Sequence, residues 1–136
     1  MPSWLSRFLA RRPKPEIPLK GRRPVARVKA YSAMSGYVYE YTYLGYRDDP
    51  EARVHVFNVS PDRKSWRPLE VNIPNESLSV WEQTHERTLN EAERYAVAKL
   101  ALFAAFDERT GPQDLLARPV FVDAAQVAGL LDSIDL

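Results

Sequence analysis

Residues 37–73 repeat apolar or aromatic side chains with a period of two, the spacing that places them on one face of a β-strand. The first such segment carries tyrosine at four successive odd positions, Tyr37, Tyr39, Tyr41 and Tyr43. Clusters of turn-forming residues at 48–50 and 60–62 interrupt the pattern. The sequence therefore predicts strands over 25–31, 37–46, 53–59 and 66–73. Because the connections are short, we expect a four-stranded antiparallel meander.

A helical period of 3.6 residues replaces this alternation after residue 74. The longest helix is predicted over 89–108, and it begins with the capping-box spacing of Thr88 and Glu91. Since this segment is apolar nearly all round, we expect it to be buried on two sides. A helix from residue 75, a short edge strand at 120–122 and a last helix capped by Asp123 complete the prediction. The fold class is α+β, with two or three C-terminal helices covering one face of the meander.

Basic residues are concentrated at the N-terminus. Residues 1–29 contain nine Lys and Arg against a single acidic residue, Glu16, which gives this segment a charge of about +8. Residues 30–136 contain ten basic and seventeen acidic residues, which gives about −7. The near-neutral total therefore conceals a cationic tail joined to an acidic body, and such a tail is expected to bind an anionic partner.

The tail has two predicted parts. Residues 3–12 form a short amphipathic helix, because their apolar residues recur at i, i+1, i+4 and i+5 and share one face. Four prolines within 13–24 exclude a regular helix and predict an extended spacer. Residues 1–23 are thus assigned to the tail and 24–136 to a single domain. The predicted binding residues are the apolar Trp4, Leu5, Phe8 and Leu9 and the basic Arg7, Arg11 and Arg12.

This combination predicts a non-enzymatic adaptor or accessory protein that attaches through its tail to an anionic membrane surface or to a larger protein assembly. Aromatic rings suit the headgroup layer of a bilayer, and guanidinium groups suit anionic lipid. Because Arg7, Arg11 and Arg12 interrupt any apolar stretch of signal-peptide type, we expect a cytoplasmic location, peripheral on the membrane. The alternative is an RNA-associated protein that uses the basic tail, with the tyrosine row as a stacking surface.

Other candidate residues favour structure over chemistry. The four tyrosines are a possible ligand face, although packing beneath the helices is the more common role of such a row. Lys99, His55 and His85 are conceivable bases, but no nucleophile accompanies them. No phosphate-binding loop or metal-ligand spacing occurs, and the chain has no cysteine. We therefore predict no catalytic residue, cofactor or metal, and we rank a small enzyme or a small-ligand-binding domain last.

Overall fold

A computed structural model of the chain describes residues 18–22 and 27–136. This part of the chain forms one α+β domain, which confirms the predicted fold class. Five strands are present among the described residues: β1 (Lys29–Ser32), β2 (Val38–Asp48), β3 (Ala52–Ser60), β4 (Arg67–Pro74) and β5 (Val120–Phe121). Four helices accompany them: α1 (Asn75–His85), α2 (Glu91–Glu108), α3 (Pro112–Leu116) and α4 (Ala124–Asp132). The short helix α3 was not predicted, so the helices number four and not two or three.

The strands form one sheet in the order β1-β2-β3-β4-β5. The first four pair antiparallel with their sequence neighbours, in agreement with the predicted meander. Strand β5 lies beside β4 and runs parallel to it, so the sheet is mixed. A parallel pair needs a long crossover connection, and here α1, α2 and α3 supply it.

The pairing register decides which side chains face the helices. Tyr41 lies opposite Val59, and Tyr43 lies opposite Phe57. The tyrosines at odd-numbered positions therefore lie on the same face of the sheet as these two core residues. On β4 the same face carries Leu69, Val71 and Ile73, all buried as the alternation predicted. Helices α1 and α2 contact β4, and α4 packs against both helices. The hydrophobic core lies between these layers.

Helix α2 begins two residues later than predicted. Asn90 caps it, accepting from the backbone N–H of Glu93, and the Glu93 carboxylate accepts from the backbone N–H of Asn90. The Thr88–Glu91 spacing does not form the capping box. Leu89 is buried before the helix starts, and its backbone N–H donates to the Glu82 carboxylate at 2.7 Å. The helix is buried on two sides, since it contacts the sheet and α4.

The last helix agrees with the sequence pattern in its cap and differs at its end. Asp123 caps α4 by accepting from the backbone N–H of Gln126, and Val127 and Leu131 are buried. The helical spacing of Val127, Leu131 and Ile134 predicts that all three face inward, but α4 ends at Asp132 and Ile134 is 39% exposed.

Residues 18–22 lie along the β1 side of β2. Lys20 and Tyr46 exchange two backbone hydrogen bonds of 2.8 Å as an antiparallel bridge. Gly45 allows this close approach, because a Cβ atom there would overlap the Lys20 carbonyl oxygen. Its φ of +117° is also a conformation that glycine adopts more readily than other residues. Lys20, which lies within the proline-rich segment, is therefore joined to the sheet.

We expect Gly45→Ala to detach residues 18–20 from β2 and to lower the free energy of unfolding by about 1–3 kcal/mol. The measurement is amide hydrogen exchange at Lys20 together with chemical denaturation. Gly36→Ala is the matched control, because Gly36 also has a positive φ (+94°) but no atom lies within 4 Å of an added Cβ. That control carries only the backbone strain and keeps the Lys20 amide protected. Equal exchange rates at Lys20 in both variants would contradict the assignment.

Candidate functional site

The seven residues predicted to bind a partner lie outside the described residues. They are Trp4, Leu5, Phe8, Leu9, Arg7, Arg11 and Arg12. Their contribution to binding therefore remains a prediction from the sequence. The described part of the chain shows where the segment joins the domain, at the Lys20–Tyr46 bridge.

The tyrosine row is mostly packed beneath α2. Tyr39 is 0% exposed and stacks on Phe106 with ring centroids 4.7 Å apart. Tyr41 is 4% exposed and meets the edge of Phe103 at 5.6 Å. Aromatic pairs of this geometry stabilise a core beyond the area they bury. The ring faces that a base or sugar would need are occupied at these two positions, which agrees with the packing interpretation of the row.

The two ends of the row differ from its middle. Tyr37 is 44% exposed and lies beside Gly111, at the start of α3. The hydroxyl of Tyr43 is 2.8 Å from Nδ1 of His55. Burial is the main cause that raises the pKa of Tyr43, so this hydroxyl stays protonated at neutral pH.

His55 is a buried, neutral histidine. Only 2% of it is exposed, and burial, followed by the nearby positive charge of Arg53, lowers its pKa to about 4. Its Nε2 atom has no hydrogen-bond partner among the described residues. The three surface depressions described below are lined by other residues. The Tyr43–His55 pair therefore has the groups for proton transfer, and neither residue lines one of these three depressions.

A charged network continues from this pair along the same sheet face. Arg53 is 7% exposed and its guanidinium binds Asp48 at 2.8 Å and Glu91 at 2.6 Å. The same group lies 3.9 Å from the ring centroid of Tyr46, a cation–π distance. Hydrogen bonding to Arg53 is the main cause that lowers the pKa of Asp48. The network joins β2, β3 and the N-terminus of α2, so its evident role is structural.

The remaining candidate bases are placed apart. Lys99 is half-buried, and its Nζ lies 5.8 Å from the ring centroid of Phe103. His85 is exposed at the end of α1, where its ring stacks on Trp81 with centroids 4.1 Å apart. Nδ1 of His85 lies 2.9 Å from the Trp81 carbonyl oxygen. The structure does not bring Lys99, His55 and His85 together.

A groove of about 430 Å³ lies between α2, β5 and α4. Small residues form much of its wall, including Ala101, Ala104 and Gly129. At one end Arg109 donates to the backbone carbonyls of Leu115, Arg118 and Pro119, so its guanidinium already has partners. The volume of the groove suits a small ligand, but none of the four tyrosines of the row lines its wall.

Phe121 lines this groove and also lies at the centre of a second surface. Phe121 is 63% exposed and Val80 is 47% exposed. Together with neighbouring residues they line a shallow depression of about 320 Å³. We call this surface the Phe121 face and define it by the residues that line the depression: Pro74, Glu76, Ser77, Val80, Phe121, Val122, Asp123 and Ala124.

Comparison with known proteins finds no match: no protein-family model matches the sequence, and neither a curated protein nor a solved structure is similar to it. Within residues 18–22 and 27–136, no group of three or more His, Asp or Glu side chains is arranged to hold a metal ion. None of the helices formed by these residues is long and apolar enough to cross a membrane.

Sequence reasoning missed the Phe121 face. The signal was present in the predicted edge strand, because alternation over 120–122 turns Phe121 away from the two valines that flank it. Val120 and Val122 are buried, as that alternation requires. The neighbours Val80 and Glu76 lie on α1, and only the tertiary packing of α1 beside β5 brings them to Phe121.

Proposed function

We propose that this protein is a non-enzymatic adaptor whose N-terminal segment attaches it reversibly to an anionic membrane surface. The observation that carries the proposal is the separation of charge, about +8 over residues 1–29 and about −7 over residues 30–136. The apolar residues Trp4 and Phe8 lie within the cationic part and not in the acidic domain. A segment with both properties suits the headgroup region of a bilayer.

The expected energies support reversible attachment. Each basic residue near an anionic bilayer contributes about 1 kcal/mol, so several arginines supply a useful fraction of the binding free energy. The apolar side chains add to this, but a helix of about ten residues is marginal in water and must be ordered on the surface. The balance favours an equilibrium between bound and free protein.

The way the chain enters the domain supports a projecting attachment segment. The antiparallel bridge at Lys20 directs the residues before it toward Asp48, at the β2–β3 hairpin. A proline-rich spacer extends by about 3 Å per residue and resists collapse. The domain can therefore stand away from the surface that residues 3–12 occupy, with its acidic body directed toward other partners.

Vesicle co-sedimentation tests the proposal. We expect the full chain to bind vesicles that contain phosphatidylserine and to bind phosphatidylcholine vesicles weakly. Trp4→Ala combined with Phe8→Ala is expected to weaken binding about tenfold or more, equivalent to about 1.4 kcal/mol. This loss should persist at high salt, because screening acts on the charges and not on the apolar contacts.

Met34→Ala is the matched control, since Met34 is an apolar side chain of the domain with 85% exposure. It should leave vesicle binding unchanged. If the tail variant binds vesicles as well as the full chain does, the membrane proposal is wrong. The RNA alternative makes a different prediction: binding to single-stranded RNA with a steep salt dependence and little sensitivity to Trp4 or Phe8.

A further inference from the structure

The Phe121 face exposes apolar side chains without a described partner. Phe121 projects from the outer strand of the sheet, and Val80 projects from α1 beside it. Val122 forms part of the depression between them and is 1% exposed. Adjacent exposed apolar side chains on a water-soluble surface are characteristic of interaction sites.

Acidic groups surround these apolar residues. Glu76 and Asp123 line the Phe121 face. Through Pro74 and Glu76 the face continues into a second depression of about 900 Å³, which Asp49 and Glu51 also line. Arg47 binds Asp49 at 3.2 Å, but no described residue forms an ion pair with Glu51, Glu76 or Asp123. None of the residues lining the two depressions is basic, so the surface suits a partner with apolar and cationic side chains.

We infer that the Phe121 face is the intramolecular docking site of residues 3–12. In this arrangement Trp4 and Phe8 cover Phe121 and Val80, and the arginines of the segment lie near Glu76 and Glu51. The segment carries large apolar side chains, which suit Phe121 and Val80, and positive charge, which the surface lacks. The inference rests on the proposed function, because the same residues that bind a membrane occupy this face in its absence.

The chain is connected in a way that permits this contact. At the antiparallel bridge, residues that precede Lys20 run toward Asp48 and the hairpin turn that holds Asp49 and Glu51. The chain direction at residues 18–20 therefore points from Lys20 toward the side of the domain that holds the acidic depression and the adjoining Phe121 face. Pro18 lies nine positions after Leu9. An extended stretch of this length spans up to about 30 Å, of the order of the diameter of a small domain.

Docking would regulate membrane attachment. A segment held on the Phe121 face cannot bind lipid, so the apparent vesicle affinity falls in proportion to the fraction of molecules with a free segment. Tethering gives the weak intramolecular contact an effective concentration in the millimolar range. Anionic lipid then competes with the acidic surface for the same arginines.

Disulfide trapping tests the contact directly, because the natural chain contains no cysteine. Ser6→Cys is combined with Ala124→Cys on the Phe121 face, and the control pair combines Ser6→Cys with Ser65→Cys in the exposed β3–β4 turn. At low protein concentration we expect the first pair to form an intrachain disulfide at least tenfold faster than the control. Vesicles that contain phosphatidylserine should slow it. Equal rates, or disulfides that form only between chains, would overturn the inference.

Vesicle affinity supplies a second measurement. If nine molecules in ten are docked, Phe121→Ser combined with Glu76→Gln should raise the apparent affinity of the full chain about tenfold. Met34→Ser, which changes an exposed apolar residue elsewhere, should have no effect. Rapid trapping without vesicle binding would reject the membrane function and keep the docking. Vesicle binding with no preferential trapping and no gain in the double variant would reject the docking and keep the function.

Discussion

Replacing Phe106 by alanine is expected to lower the free energy of unfolding by about 3–5 kcal/mol, the usual loss for a large aromatic side chain in a packed core. Phe106 is fully buried and stacks on Tyr39, with ring centroids 4.7 Å apart. The ring centroid of Phe106 also lies 5.5 Å from that of Tyr31 and 6.2 Å from that of Tyr41. The substitution would therefore leave a cavity at the point where α2 meets β1 and β2.

Urea denaturation monitored by circular dichroism measures this loss. For a chain of this size, the change corresponds to a decrease in melting temperature of roughly 10–20 °C. Met34→Ala is the control, because Met34 is 85% exposed and its removal should alter stability by no more than about 0.5 kcal/mol. If the two alanine variants are equally stable, the assignment of Phe106 to the core is wrong.

Stability should also fall by about 3 kcal/mol as the pH is lowered from about 7 to below 4, because His55 must be protonated. Its pKa is about 4 in the folded chain, against 6.5 for a histidine exposed to water in the unfolded chain. The unfolded chain therefore binds more protons between these values, and the free energy of unfolding rises with pH across that window. Each unit of difference between the folded and unfolded pKa of His55 corresponds to about 1.4 kcal/mol of unfolding free energy.

Denaturation series at several pH values test this dependence. His55→Asn should remove most of the slope between pH 4 and 6.5, whatever its effect on stability at neutral pH. His85→Gln is the control and should preserve the slope that His55 causes, because it replaces the other histidine of the chain and leaves the buried His55 in place. Asp48 affects stability in a lower pH range than His55 does, because the pKa of Asp48 is lowered in the folded chain. Its contribution to the free energy of unfolding is lost only as the pH falls below about 4. An unchanged slope in the His55 variant would contradict the burial of a neutral imidazole.

Much of the fold could be predicted because its signals are local. Alternation along a strand places successive side chains on opposite faces, and this identified Leu69, Val71 and Ile73 as one buried set. The side chain of Asp123 caps the helix it precedes, an interaction that spans three residues. Such features depend on neighbours in the chain, so the sequence contains all the information they need.

Other features depend on which elements meet. Both Thr88 and Asn90 have capping-box spacing, and the burial of Leu89 against the core favours the start at Asn90. The sequence carries no sign that His55 is deeply buried, because alternation does not say which face of β3 meets the helices. The Phe121 face likewise requires α1, β4 and β5 to converge from distant parts of the chain.

Patterns in the amino-acid sequence were enough to predict the α+β class, the four-stranded meander, the long apolar helix and the separation of a cationic segment from an acidic body. These follow from side-chain period, turn residues and charge, which act over a few residues or sum along the chain. The parallel pairing of β5, the neutral state of His55 and the exposure of Phe121 beside Val80 and Glu76 became known only from the folded domain. Each arises from contacts between distant segments, because burial and pairing are set by the packing of the whole domain.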